Sequence, residues 1–497
     1  MILDARNSEV ALERSADVAI VGAGPAGLIL ARELSDYASI ILIESGGIKA
    51  DPQVDTLQKG ESIGLDYPLS ETRARGFGGS SSIWAGYCAQ FDRHDFLQRS
   101  WVANSGWPFG VEVLETYYSK VAGLLNLGGV NFDARDIARK NKISLPIDNH
   151  KFTPTVWRFG APIIRFGDLL LKEFCCNPNI TTFTNATVVD IHLDSEHSDV
   201  TRLIFRTMNG RQGVIIPKIL VLACGGLETP RILLNADSQI KAGVGNDNDL
   251  VGRFFMEHPH FHIKPLTLTK PEAFTHWAER GDFDAGSQYL SCLGLSAVAQ
   301  EALSVTNARL HLYRTPGMDG SETPFAGLFM EQAPNPDSRV SLSKQEDSLG
   351  MRRLQLNWRL NDLDRVSFKS TAQEIGAELV RNGLGRMSNS IHNSLFNNLS
   401  PLYSNHQLGT TRMAISPDEG VVDSNCCVHG LSNLYIAGGS VFPTVSWANP
   451  TFTLMSLVYR LADYLRVKLN SGKALYTPNG CEEKLTFLNR QGNKYKN

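Results

Sequence analysis

"VAIVGAGPAGLILARELSDYASIILIES", residues 18–45, is the stretch that decides the fold. Val18 to Val21 is a short apolar run, the pattern of a strand buried on both faces. Gly22, Gly24 and Gly27 follow in G-x-G-x-x-G spacing, with Ala23, Pro25 and Ala26 between them. The first glycine permits a tight turn, the second lets backbone approach a pyrophosphate, and the third lets a helix pack closely on the strand. Leu28, Leu30, Ala31 and Leu34 give that helix an apolar face. Ile40 to Ile43 reads as the next strand, ending at Glu44 and Ser45. Glu44 lies 20 residues after Gly24, where a carboxylate can accept hydrogen bonds from a ribose. Strand, glycines, helix, strand and acid together predict a dinucleotide-binding unit in a doubly wound α/β fold. This unit alone does not separate NAD from FAD, although its N-terminal position favours FAD.

Composition bounds the rest. The 497 residues suffice for two or three domains. Hydrophobic content of 42% and charged content of 20% are those of an ordinary globular chain. A net charge of −3 gives no reason to expect nucleic acid or an anionic membrane as partner. No apolar run approaches a membrane span. The N-terminal residues carry acids and lack an apolar signal core, so a cytoplasmic location is expected. The 8 cysteines include the neighbours Cys175-Cys176 and Cys426-Cys427, but no C-x-x-C pair and no haem-attachment motif. They are expected to be buried free thiols. The polar end, residues 489–497, is expected to fray.

Three further landmarks carry chemistry. "RARGFGGSSSIWAG", residues 73–86, offers Gly76, Gly78 and Gly79 for close backbone approach. Ser80, Ser81 and Ser82 add hydroxyls, and the backbone N–H groups of such a loop can form an anion nest. Trp84 and Ala85 follow, and the Trp84 ring can lie against a planar ring system. Arg73 and Arg75 read as phosphate contacts or as solvated charges. "KILVLACGGLETPRILLNA", residues 218–236, is a buried strand running into Ala223, Cys224 and Gly225, the small residues expected at the carboxyl edge of a doubly wound sheet. Thr229-Pro230 there predicts a helix start. Residues 185–194 alternate as a strand, placing Val188 beside the adenine. The C-terminal block, residues 405–466, holds His406, a strand at 434–437, a second glycine turn at Gly438, Gly439 and Ser440, and a long helix opened by Asn449, Pro450 and Thr451. A helix N-terminus offers backbone donors to an electron-rich ring. His258, His260 and His262 alternate, but Pro259 interrupts them and no carboxylate or cysteine completes a set, so no metal is expected. Tyr87, Trp107 and Trp447 read as core or as a sugar-stacking platform, with core the better reading.

With these blocks in this order the chain resembles the glucose-methanol-choline (GMC) family of FAD oxidoreductases. The stretches "ANPTFTLMSLVYRLAD" and "DRHDFLQRSWVANSGWPF" are most similar to its sugar-oxidising branch of pyranose oxidases, fructose and gluconate dehydrogenases and glycoside 3-oxidases. The resemblance implies a Rossmann-like FAD-binding domain plus a smaller substrate domain with a mainly antiparallel sheet, as in p-hydroxybenzoate-hydroxylase-like folds. The FAD domain is assigned to residues 1–110, 180–257 and 405–497, and the substrate domain to 111–179 and 258–404. The resemblance maps the family's catalytic pair onto His406 and Asn449, 43 residues apart. It implies oxidation of a secondary alcohol to a ketone by hydride transfer to flavin N5, with His406 as base, and O2 or a separate electron acceptor. Where some pyranose oxidases carry a flavin-tethering His, this chain has Ile83, so the FAD is expected to be non-covalent, with Cys88 the one nearby nucleophile. The competing expectations are an NAD(P)-dependent dehydrogenase and a non-catalytic flavin-binding protein. Oligomeric state is not legible.

Overall fold

The structure is a computed structural model that describes residues 1–141, 146–147, 149–263, 266–283, 286–316, 322–387 and 401–471. The expected fraying end, residues 489–497, lies outside the described residues.

The first quoted stretch folds as expected. Glu13–Val21 is a strand, Pro25–Leu34 a helix and Ile40–Ile43 the next strand, parallel to the first. Gly27 explains the tightness of the unit. A Cβ there would overlap the Gly22 carbonyl oxygen. Around this unit an eight-stranded sheet assembles in the order Ile2–Asp4, Ile180–Thr184, Ile40–Ile43, Glu13–Val21, Gln212–Leu222, Val200–Arg206, Thr187–Leu193. The first five strands are parallel, and the last two close one edge antiparallel. Leu434–Ile436 joins the carboxyl half of Gln212–Leu222 in parallel. Almost every side chain of Val18–Val21 and Ile40–Ile43 is buried, as strands covered on both faces require. The helix Pro25–Leu34 packs on the long C-terminal helix Thr451–Ser471.

A second sheet of six strands has the order His260–Ile263, Glu322–Met330, Ala308–Pro316, Gln288–Leu295, Gly281–Asp282, with Phe152–Phe159 paired to Gln288–Leu295. All its pairings are antiparallel. The alternation along it is strict. Leu310, Leu312, Ala326 and Leu328 join one apolar cluster with Phe368 and Ile375. The opposite face carries His260, His311, Tyr313 and Phe329, whose rings contact one another.

The strands Arg339–Glu346 and Arg352–Asn357 stand outside the six-stranded sheet. They form a separate three-stranded sheet with Gly60–Ser62, and Trp358 and Phe255 help build its own small core. The helix read as starting at Thr229-Pro230 runs from Gly225 to Asn235, with Pro230 inside it. Pro230 has no N–H for the Gly226 carbonyl four residues back. The Thr410 hydroxyl donates to that carbonyl instead, at 2.7 Å. Finally, among the described cysteines only Cys88, Cys292 and Cys426 are fully buried; Cys175 and Cys176 are exposed at the end of the helix Phe166–Cys176, and Cys481 lies outside the described residues. The seven described cysteines are free thiols.

Candidate active site

A cavity of about 560 Å³ runs from the glycine turn of residues 22–26 to His406 and Asn449. Each end is made differently. At the glycine end the wall is backbone. The N-cap of the first helix is Gly24, which brings no side-chain acceptor, so the first-turn N–H groups are left for a ligand. Cys224, N-cap of the helix Gly225–Asn235, likewise makes no side-chain cap bond. Gly79 has φ +52°, and a Cβ there would lie 2.8 Å from Cα of Gly24. The 73–86 loop therefore folds directly onto the dinucleotide turn, and Gly78 N–H donates to Ala23 O at 2.8 Å.

Glu44 ties these pieces together. Its carboxylate accepts from the backbone N–H groups of Ala23 at 2.8 Å, Gly46 at 2.8 Å and Gly76 at 3.1 Å. Burial raises its pKa in spite of these donors. The side chain read as a ribose contact also holds three loops together while lining the cavity. Ser45 accepts from Arg75 at 2.8 Å and bonds Thr187. The reading of Arg73 and Arg75 as solvated charges is corrected. Both are buried against Glu228, at 2.8 and 2.9 Å. The guanidinium groups hold the Glu228 carboxyl below the ordinary range against the opposing cost of burial.

The serine hydroxyls bond mainly within their own loop: Ser81 Oγ donates to Gly78 O and Ser82 Oγ to Gly79 O, and Ser80 Oγ accepts from Ala74 N–H, while Ser81 Oγ also accepts from Phe166 N–H at 3.2 Å. Ser80, Ser81, Trp84 and Ala85 line the cavity, as do Val188, Ala223, Gly225, Gly439, Pro450 and Thr451. Ala23, Gly27, Ser82 and Ser440 do not. Ser440 Oγ is buried without a partner among the described residues. Trp84 donates its indole N–H to Ile164 O at 2.8 Å, which fixes its ring at the wall. Ile83 also lines the cavity, whereas Cys88 is buried away from it and burial pushes its thiol far up. Tyr87 lines the cavity; Trp107 and Trp447 are core.

At the other end the wall is side chains. His406 Nε2 is 3.2 Å from Asn449 Nδ2. His406 Nδ1 is 2.9 Å from Nδ1 of His258, whose Nε2 meets the Val445 carbonyl at 3.0 Å. Trp157 donates its indole N–H to Asn449 Oδ1 at 2.8 Å. Burial and the His258 ring push His406 well below the ordinary imidazole range, and burial pushes His258 down to about 4. Both rings are neutral near pH 7. Beneath them Glu257 accepts from the backbone N–H groups of His406 at 2.6 Å, His258 at 2.7 Å and Ser404 at 3.1 Å, and from the Tyr67 hydroxyl at 3.1 Å. Burial pushes its carboxyl up to about 8. Glu257, His258 and His406 bring potential metal-ligand atoms within 4.8 Å of one another, but these atoms face each other and nearby donors. His260 and His262 lie 4.8 Å apart between ring centroids, but His258 turns to His406 instead, His260 also stacks on Phe329 at 4.1 Å and His262 is exposed.

The loop carrying Asn449 is anchored from below. Trp447 Nε1 donates to Asp92 at 3.2 Å, Thr444 Oγ1 donates to Asp95 O at 2.8 Å, and Ser446 Oγ bonds the Asp95 carboxylate. Asp92 pairs with Arg309 at 2.6 Å. Glu257, Trp157, Tyr67 and this Asp92–Arg309 support were not singled out from the sequence. A signal existed for Glu257 alone: an acid inside the apolar run "RFFMEHP", directly before His258.

Residues 334–457 match the GMC oxidoreductase family. The chain therefore carries a GMC oxidoreductase C-terminal domain. Its cofactor is FAD, and the uncapped helix N-terminus and glycine-lined cradle fit that group. This sets aside the NAD(P) alternative, and the chain is an oxidoreductase acting on CH–OH groups, like the enzymes it is similar to. The fructose dehydrogenase large subunit of Gluconobacter japonicus is 26% identical over 58% of this chain and 54% of its own length. The C-glycoside 3-oxidase of Microbacterium trichothecenolyticum is 24% identical over 92% of this chain and 98% of its own. Among solved structures, pyridoxine 4-oxidase from Mesorbium loti superposes with a TM-score of 0.61, at 21% identity, over 90% of this chain and 98% of its own. Among the described residues no helix is long and apolar enough to cross a membrane.

Proposed function

We propose that the chain oxidises a secondary alcohol of a sugar, glycoside or similar polyol to a ketone, with His406 as the base and FAD held non-covalently. The observation that carries this reading is the His406–Asn449 pair, 3.2 Å apart, at the far end of the cavity that begins at the dinucleotide turn. FAD, when bound, supplies the acceptor for the hydride that leaves the carbinol carbon. The remaining steps belong to the chain. A substrate hydroxyl entering between the two side chains donates its proton toward His406 Nε2 and accepts from Asn449 Nδ2. It thereby replaces the hydrogen bond these two make with each other. A neutral imidazole receives that proton as the carbon–hydrogen bond breaks, and the amide fixes the oxygen so that the carbon faces one direction only. The helix Thr451–Ser471 begins at the wall of the same end, and the backbone donors of its first turn would stabilise negative charge there. O2 or a separate acceptor then takes the electrons. A cytoplasmic location is part of the same reading.

One observation favours a second substrate class, a primary alcohol carried on an aromatic ring. His260 and Phe329 stack at 4.1 Å and line the cavity beside His406, a wall suited to a flat ring. Both readings meet one experiment: anaerobic bleaching of the flavin across monosaccharides, glycosides, cyclitols and pyridoxine, followed by air. Bleaching by sugars supports the first reading, and bleaching by pyridoxine alone replaces it with the second. No bleaching by any of them would return the chain to a non-catalytic flavoprotein. Acid or heat precipitation should leave yellow FAD in the supernatant; colour held in the washed pellet would show a tether.

A further inference from the structure

His406 can act as a base only through a nitrogen that carries no proton, and an unrestrained neutral imidazole exchanges its proton between both nitrogens. We propose that His258 and Trp157 are positioning residues that fix the tautomer of His406 from opposite ends, holding the proton on Nδ1 and the lone pair on Nε2. This rests on the reading of His406 as the base.

The first end is a backbone carbonyl. Val445 O can only accept, so His258 Nε2, at 3.0 Å, carries a proton. A neutral His258 then has its lone pair on Nδ1. Its burial, with the ring fully enclosed, keeps it neutral. His406 Nδ1 faces that lone pair at 2.9 Å and must be the donor. The second end is an indole. Trp157 Nε1 can only donate, so Asn449 must present its oxygen to it, at 2.8 Å. The amide nitrogen of Asn449 is thereby turned to His406, and Nε2, at 3.2 Å, must accept. The two chains of reasoning share no atom before they meet at the His406 ring, and they assign it the same tautomer.

The opposite tautomer is penalised twice. It sets N–H against N–H at Asn449 and lone pair against lone pair at His258. Relief is blocked on both sides, because neither the carbonyl nor the indole can reverse its role. The carbonyl is itself held. Ser446, the residue after Val445, is buried at φ 57°, and Asn405, the residue before His406, sits at φ 64°. Non-glycine residues in this region persist only where their surroundings over-determine them. When His406 takes the substrate proton on Nε2, its Nδ1–H still donates to His258. No second proton needs to move.

The test reads protons rather than turnover. Histidine side-chain nitrogens are labelled with ¹⁵N in the FAD-loaded protein, and two-bond proton–nitrogen correlations report which nitrogen carries hydrogen. The His406 signals are assigned by their loss in His406→Gln. In the wild type the His406 proton should sit on Nδ1. In the double variant His258→Leu/Trp157→Phe both tautomers should appear. His258→Asn/Trp157→Phe should return the wild-type form, since an asparagine oxygen can accept where Nδ1 stood. A His406 proton on Nε2 in the wild type would overturn the proposal, and so would a double Leu/Phe variant that keeps the wild-type tautomer. If that variant does not fold, the wild-type spectrum still decides. No substrate is involved, so a failure to oxidise any sugar leaves this result standing.

Discussion

The two ends of the cavity hold their ligands by opposite means. The dinucleotide end is backbone: glycines, helix N-termini and one carboxylate that gathers three N–H groups. The catalytic end is side chains drawn from four distant segments, around residues 157, 257–260, 404–407 and 445–449. The difference predicts separable damage. Substitution at the first end should cost the cofactor and the fold, whereas substitution of His406 or Asn449 at the second should cost chemistry and leave both in place.

The largest effect is expected at Gly27. Gly27→Val places a branched side chain against the Gly22 carbonyl and the Ala223 side chain. Strand and helix would have to part. The protein should purify without yellow colour, or fail to fold, as absorbance near the flavin bands and a melting curve will show. A Gly27→Val protein with full flavin content would break the comparison at its first end.

His406→Ala is its counterpart. FAD content should be nearly unchanged, while anaerobic bleaching slows by about 10²–10⁴-fold, the range for loss of a general base. Asn449→Ala should cost less, since it removes orientation and one hydrogen bond but not the base. The double variant should fall short of the product of the two losses, because both act on one oxygen. A His406→Ala protein that bleaches at the wild-type rate would move the base elsewhere.

The same contrast explains what the sequence disclosed. Backbone sites depend on short local patterns. The spacing of Gly22, Gly24 and Gly27 is legible because it is a short local pattern: Gly22 turns at φ +101°, and a Cβ on Gly27 would overlap the carbonyl of nearby Gly22. The proposed catalytic pair was suggested only by family resemblance, since nothing local distinguishes His406 from any other histidine. Its partners were not legible, because their roles exist only after folding. Trp157 lies in a strand of the second sheet, and its indole meets Asn449 across 292 positions. Arg73 and Arg75 show the reverse error. Two arginines in a glycine loop read as solvent-facing or phosphate-binding, and only the fold supplies Glu228 to neutralise them. Pro230 misled for a similar reason: the fold provides the Thr410 hydroxyl for the carbonyl that the proline left free.

The smallest expected effect, and the finest test of the catalytic end, is at Glu257. All four of its hydrogen-bond partners are donors in the ionised state, three of them backbone N–H groups that cannot reverse. Protonated, it can give its proton only to the Tyr67 oxygen. Glu257→Gln keeps the shape but turns one oxygen into an N–H₂ group, and either orientation sets that group against at least one fixed N–H. The cost should be about 1–3 kcal/mol, that of a buried polar group left unsatisfied. The dependence on pH gives the sign. Burial raises the carboxyl from 4.5 to about 8 in the folded protein. Between those values the folded state holds a proton that the unfolded state has lost, so this group's contribution to stability is full below 4.5 and declines as pH rises to about 8. A glutamine does not titrate. The gap in melting temperature between wild type and Glu257→Gln should therefore narrow from pH 5 to pH 8, with FAD content matched in both proteins. A gap that stays constant would mean that Glu257 is already ionised across this range. The four donors would then hold a permanent anion beneath the histidine pair, and the His406 imidazolium formed in turnover would have its counter-charge in place before the substrate arrives.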